Sequence, residues 1–150
     1  MEVKRVQRRA LAFPVLLLVA LAIVLPANAG KPTASSSATI TDEGNCKFTV
    51  TYAWSGFSGT GLDAEVAIGF RGEYGADFFF AWTHVTGKSG SEGFVSRTFT
   101  LTGDAAARQF FGRGNLFKVS KDSSLTAVRD ASAKSAYLGA QTCGLTAGIS

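Results

Sequence analysis

Hydrophobic and polar residues alternate along one stretch of the chain, with Cys46, Phe48, Val50, Tyr52 and Trp54 interleaved with Lys47, Thr49, Thr51, Ala53 and Ser55. A period of two turns one set of side chains to a core and the other to water, so the segment predicts a half-buried β-strand. After a glycine-rich turn over Ser55 to Gly61, the pattern returns. Leu62, Ala64, Val66, Ile68 and Phe70 face inward, and Asp63, Glu65, Ala67, Gly69 and Arg71 face outward. A third alternation sets Val95, Arg97, Phe99 and Leu101 against Ser96, Thr98, Thr100 and Thr102, with threonines on the wet face, where strands favour them. Arg97 interrupts its inner face and is expected near a strand end or with its charge carried out to water.

Weaker strands are predicted at Ala38 to Thr41, Asp77 to Thr86, Asn115 to Lys121, Leu125 to Arg129 and Tyr137 to Cys143, separated by Gly-containing or Ser-rich turns. Between Asp104 and Phe111, Asp104 can cap a helical turn of Ala105, Ala106, Ala107, Arg108 and Gln109, which Gly112 would end. The expected fold is all-β: an antiparallel Greek-key β-sandwich of about seven or eight strands with one short helical crossover between sheets.

The N-terminus reads differently. A basic start is followed by the uncharged apolar stretch Ala10 to Leu25, then Pro26 and Ala27-Asn28-Ala29, the features of an export signal cleaved after Ala29. An uncleaved anchor is the rival reading, but about sixteen apolar residues fall short of the roughly twenty that span a bilayer, and Pro14 interrupts them. Residues 1–29 are therefore a signal peptide that meets the membrane only in transit, and Gly30 to Ala38 form a flexible leader. A single domain follows over residues 39–150. The expected location is secreted.

Removing the signal changes the charge balance. The whole chain carries a formal charge of +4, but Lys4, Arg5, Arg8 and Arg9 against Glu2 supply most of it, and the remaining charges are scattered singly. Nucleic acid is excluded as a partner on this ground. Export also bears on the only two cysteines, Cys46 and Cys143. An even count in an oxidising compartment predicts a disulfide closing a loop over nearly the whole domain; the alternative is two buried free thiols. Two thiols and the sole histidine, His84, do not make a four-ligand metal site, and no cofactor is implied.

The strand Cys46 to Trp54, the strand Leu62 to Phe70 and the closing run Gly139-Ala-Gln-Thr-Cys143-Gly144 resemble the immunoglobulin-like and fibronectin type III-like β-sandwiches of exported bacterial proteins. Trp54 departs from that pattern. It follows Cys46 on the same strand, whereas the family tryptophan lies on the next strand against an inter-sheet bridge. Here the resemblance implies a bridge from the first long strand to the last. Such sandwiches serve adhesion, ligand capture, inhibition and spacing alike.

Catalytic chemistry is sparse. No serine sits in a Gly-x-Ser-x-Gly elbow, and His84 reads as an ordinary strand residue. Asp42-Glu43 and the pair Asp63 and Glu65 read as turn and solvated-face residues, since no Asp-rich calcium loop is present. Gly112-Arg113-Gly114 lacks the lysine and serine of a phosphate loop. No catalytic residues and no enzymatic activity are expected. The informative segment is Asp77-Phe78-Phe79-Phe80-Ala81-Trp82-Thr83-His84-Val85, with aromatics on both faces. Taking Phe78, Phe80 and Trp82 as core leaves Phe79 outward with Ala81 and Val85, where either a loop, the helical turn near Phe110 and Phe111 or the sheet's own curvature covers it, or it stays open as a contact. Phe79, with Tyr74 and with Phe57 on the glycine-rich turn, forms the candidate contact surface for an extracellular protein or carbohydrate. Two other roles fit the residues. One is an envelope or matrix component assembling through strand edges; the other is an enzyme inhibitor presenting Lys88 on the loop Thr86 to Glu92.

Overall fold

The computed structural model describes residues 33–57, 61–88 and 92–150; the proposed signal peptide, residues 1–29, lies outside them. Among the described residues ten strands run in the order β1 Ser35–Asp42, β2 Lys47–Ser55, β3 Leu62–Arg71, β4 Asp77–Lys88, β5 Glu92–Thr102, β6 Ala106–Val119, β7 Leu125–Ala127, β8 Ala133–Lys134, β9 Gln141–Cys143 and β10 Thr146–Ile149. The only helical element among them is one 3-10 turn at Glu73–Gly75. The strands form two antiparallel sheets, ordered β1-β2-β5-β10 and β4-β3-β6-β7, with β8 and β9 also pairing β6. The fold is an all-β sandwich.

The alternations foreseen in the sequence build the space between the sheets. Phe48, Val50, Tyr52 and Trp54 of β2, Val95, Phe99 and Leu101 of β5, and Leu62, Ala64, Val66 and Ile68 of β3 are all buried in one cluster. Their aromatic rings meet across the layers, as in Phe48 and Phe110, 5.1 Å apart. Each such ring removes a large apolar area from water, the dominant favourable term in closing the two sheets. On the outer face of the first sheet, hydroxyls pair across the strands, Thr49 with Thr98 at 3.0 Å and Thr51 with Ser96 at 2.7 Å.

Cys46 and Cys143 are joined in a disulfide, a bond that persists in oxidising compartments. Cys46 sits in the turn before β2 with φ of 56°, outside the strand that the alternation assigned to it. Cys143 ends β9, which pairs β6. The bridge thus ties a turn of one sheet to the other sheet through the penultimate strand, where the last strand was expected.

Four further expectations are corrected. The helical crossover over Asp104 to Phe111 is absent: from Ala106 onward these residues begin β6, which runs on as one element into the predicted strand Asn115–Lys121 and ends at Val119. The ladders to β3 and β9 override the helix propensity of the alanines. Gly112 and Gly114 do not break β6; they lie flat within it, where a Cβ would stand 2.6 Å from Val50 and 2.0 Å from Tyr52. β1 begins at Ser35, so the residues from Ser35 to Ala38, assigned to the leader, pair with β2. The outer face of β3 is covered rather than wet: Asp63 and Ala67 are buried, because β3 is central with β4 and β6 on either side.

Candidate functional site

The exposed aromatics on β4 owe their position to a one-residue irregularity. Ile68 pairs Ala81 but Gly69 pairs Phe79, leaving Phe80 as an extra residue on β4. An inserted residue reverses the side-chain parity beyond it. Phe78 and Phe80 stay on the side of Phe70 and Phe110, whereas Phe79 and Trp82 both point outward. This corrects the expected core trio: Trp82 is 57% and Phe78 50% exposed, Phe80 is only half-buried, and Ala81, expected outward, is buried.

Directly opposed residues share a face. Outward from β3, Glu65 stands between His84 and Asn115, Ala67 between Trp82 and Arg113, and Gly69 between Phe79 and Phe111. At Gly69 the missing side chain makes room, since a Cβ there would lie 2.6 Å from the Phe111 ring. Phe111 therefore lies flat against the sheet and is fully buried, although it faces outward. Phe79 meets its ring edge to face at 5.2 Å, and Tyr137 does the same from the other side at 5.5 Å. Cations sit over these rings: Arg113 is 5.1 Å from the centre of Phe79, and Lys134 is 4.7 Å from that of Tyr137.

Asp77 closes this end of the face. Its carboxylate accepts hydrogen bonds from Lys134 Nζ at 2.7 Å and from the Tyr137 hydroxyl at 2.6 Å. The bond from Lys134, then that from Tyr137, holds the Asp77 carboxyl below the usual carboxylate range, while Lys134 is raised by its bond to Asp77 and then by the one it donates to the Tyr137 hydroxyl. The other end is acidic. His84 lies between two carboxylates, with Nδ1 3.3 Å from Asp63 Oδ2 and Nε2 3.2 Å from Glu65 Oε2. Asp63 Oδ1 is buried with no hydrogen-bond partner among the described residues. The acids expected on a solvated face are instead a partly enclosed group around the histidine. Both ring nitrogens face carboxylates, and no hydroxyl of the described residues is hydrogen-bonded to the imidazole. Among the described residues no group of three or more His, Cys, Asp or Glu is arranged to hold a metal ion.

The three residues singled out in the sequence do not converge. Phe79 is on this face, 38% exposed. Tyr74 is fully exposed, but on the 3-10 turn with φ of 63°. Phe57 is buried in the core, because the chain leaving β2 folds its ring under the sandwich, and it is not part of a surface. Residues 89–91 of the Lys88 loop lie outside the described ones. Sequence reasoning missed Trp82, Phe111, Arg113, Lys134 and Tyr137 as a group: only Phe111 and Arg113 share a strand, and their segment was read as a helical turn and its end.

No family model, curated protein or solved structure matches this chain. The face must therefore be read from its own chemistry. It is an aromatic centre, with Trp82 and Phe79 open to solvent, bordered by Arg113, Lys134 and Asp77 on one flank and by Asp63, Glu65 and His84 on the other.

Proposed function

We infer that this chain is an exported, non-catalytic binding module of immunoglobulin-like architecture, which recognises a partner protein through the outward face of the β4-β3-β6 sheet. The observation that carries the reading is Trp82 standing 57% exposed on the same outward face as Phe79, with the ionisable side chains of Arg113, Glu65 and His84 around them. Aromatic rings with a polar rim are the composition of protein interfaces, in which rigid rings anchor the contact. The opposed charges of the two flanks favour a protein partner over a sugar, which would call for planar hydrogen-bonding groups around the rings.

The architecture is supported by strand order. The sequences β1-β2-β5-β10 and β4-β3-β6-β7 parallel the A-B-E-D and C′-C-F-G orders of immunoglobulin sandwiches, with β10 in the place of strand D. Export is supported by the signal-like N-terminus and by the disulfide. Among the described residues both imidazole nitrogens of His84 face carboxylates, an arrangement that suits a role without catalysis.

The test is affinity capture from the extracellular protein fraction by the purified protein, set against the double variant Phe79→Ala/Trp82→Ala. Retention of one partner by the wild type, with at least a tenfold loss in the variant and an unchanged melting temperature, is expected. Equal capture by both forms, or saturable binding of a polysaccharide in its place, would refute the assignment.

A further inference from the structure

Given the reading of this face as a protein-binding surface, we propose that what it captures is an acidic side chain of the partner, gripped at both carboxylate oxygens by the Arg113 guanidinium, with a nearby apolar residue of the partner packed on Trp82.

Arg113 is built to hold one position. The strand beneath it is paired on both edges, to Ala67 of β3 and to Lys134 of β8. Its neighbours Gly112 and Gly114 turn to the core and let β6 lie close over Val50 and Tyr52. The guanidinium stands over the Phe79 ring, 5.1 Å from its centre, and its Nε donates to Ser132 Oγ at 3.2 Å. Resting on a ring and tied at one nitrogen, the group has its plane fixed and its two Nη atoms left as the free side. Among the described residues those Nη atoms have no hydrogen-bond partner, and no carboxylate lies within ion-pair distance of Arg113. A forked pair of donors in a fixed plane matches the two oxygens of a carboxylate, which a point charge such as lysine does not.

The surrounding charges point the same way. Lys134 is already taken by Asp77, and Arg71, opposite Asp77 on β3, lies over Tyr137 at 5.3 Å. Three cations on this flank thus have one carboxylate among them. On the other flank Asp63 and Glu65 share only His84. An incoming acid is therefore drawn to Arg113 and turned away from the Glu65 end, which fixes the direction in which the partner lies. Trp82 faces Arg113 across β3, with Ala67 buried between them. Two strand spacings separate their backbones, about 10 Å, which an extended partner segment covers in about three residues. An exposed tryptophan beside a desolvated arginine is the usual anchor pair of a protein contact.

Selection of random peptides on the purified protein tests this, with the peptides displayed at the N-terminus of a phage coat protein so that only side chains supply carboxylates. The enriched peptides are expected to carry Asp or Glu with an aromatic or aliphatic residue within about three positions. A synthetic, amidated consensus peptide should bind Arg113→Lys about tenfold or more weakly, at an unchanged melting temperature, since that variant keeps the charge and loses the fork. Arg113→Glu should lose the peptide altogether and bind its counterpart in which arginine replaces the acid. Peptides that need Phe79 and Trp82 but carry no acid, or that bind Arg113→Lys as well as the wild type, overturn the carboxylate assignment and leave the protein-binding reading standing. Peptides indifferent to Phe79→Ala/Trp82→Ala, or no retained peptide at all, overturn both.

Discussion

Tyr52 shows how one polar atom fixes the closure of the sandwich. Its ring is fully buried in β2, and its hydroxyl donates to the carbonyl of Ala131, in the segment that follows β7. Burial pushes the phenol up to about 12, so the neutral form is the one the fold holds. Stability from this group is complete below the unfolded value of about 10 and is lost as pH rises toward the folded one. Urea unfolding should accordingly show a decline in wild-type stability above about pH 10 that is absent in Tyr52→Phe. At neutral pH the same substitution should cost about 1–3 kcal/mol, because the buried carbonyl loses its donor. Asp77 has the opposite sign. Its contribution is present above the ordinary carboxylate range and disappears as pH falls through its lowered value. Lys134→Met should return the Asp77 titration toward that ordinary range, as followed by carboxyl NMR.

At the scale of elements, β4 and β6 carry the lessons. β6 passes close over β2 because Gly112 and Gly114 present no side chains to Val50 and Tyr52. Gly114→Ala would put a methyl 2.0 Å from the Tyr52 ring and should destabilise the protein by about 1–3 kcal/mol through overpacking, as read by thermal melting. In the sequence those glycines look like a helix stop and a turn, since glycine favours both. Only the strand stacked above them shows that close approach is their purpose. The alternations of β2, β3 and β5 were legible because each side chain's environment followed from a period of two. β4 was not. Its pattern from Phe78 to Val85 is regular as written, and the extra residue at Phe80 appears only through its pairing with β3.

For the whole molecule, the disulfide links positions 97 residues apart and so restrains nearly all of the folded chain. In the chain-entropy account a loop of that size is worth about 4–5 kcal/mol. Cys46→Ala/Cys143→Ala should lower the melting temperature markedly while keeping the far-ultraviolet spectrum of β-sheet, since most of the core cluster is made by the inward residues of β2, β3 and β5. A helical spectrum in that variant would contradict a fold set by the alternating strands. The two sheets also divide the surface into unlike faces. One is lined with hydroxyls; the other bears aromatics and opposed charges.

The sequence by itself determined the fold class, the long central strands with their inward residues, and the pairing of the two cysteines. These follow from short-range periodicity and from the chemistry of two thiols in one chain. Tertiary structure decided what lay across strands: that β6 is one strand where a helix was expected, that Phe57 goes inside and Trp82 outside, and that His84 meets Asp63 and Glu65. The physical reason is common to all of them. A strand's register with its neighbours is a long-range property, and shifting it by a single residue exchanges core for surface without altering one letter of the local pattern.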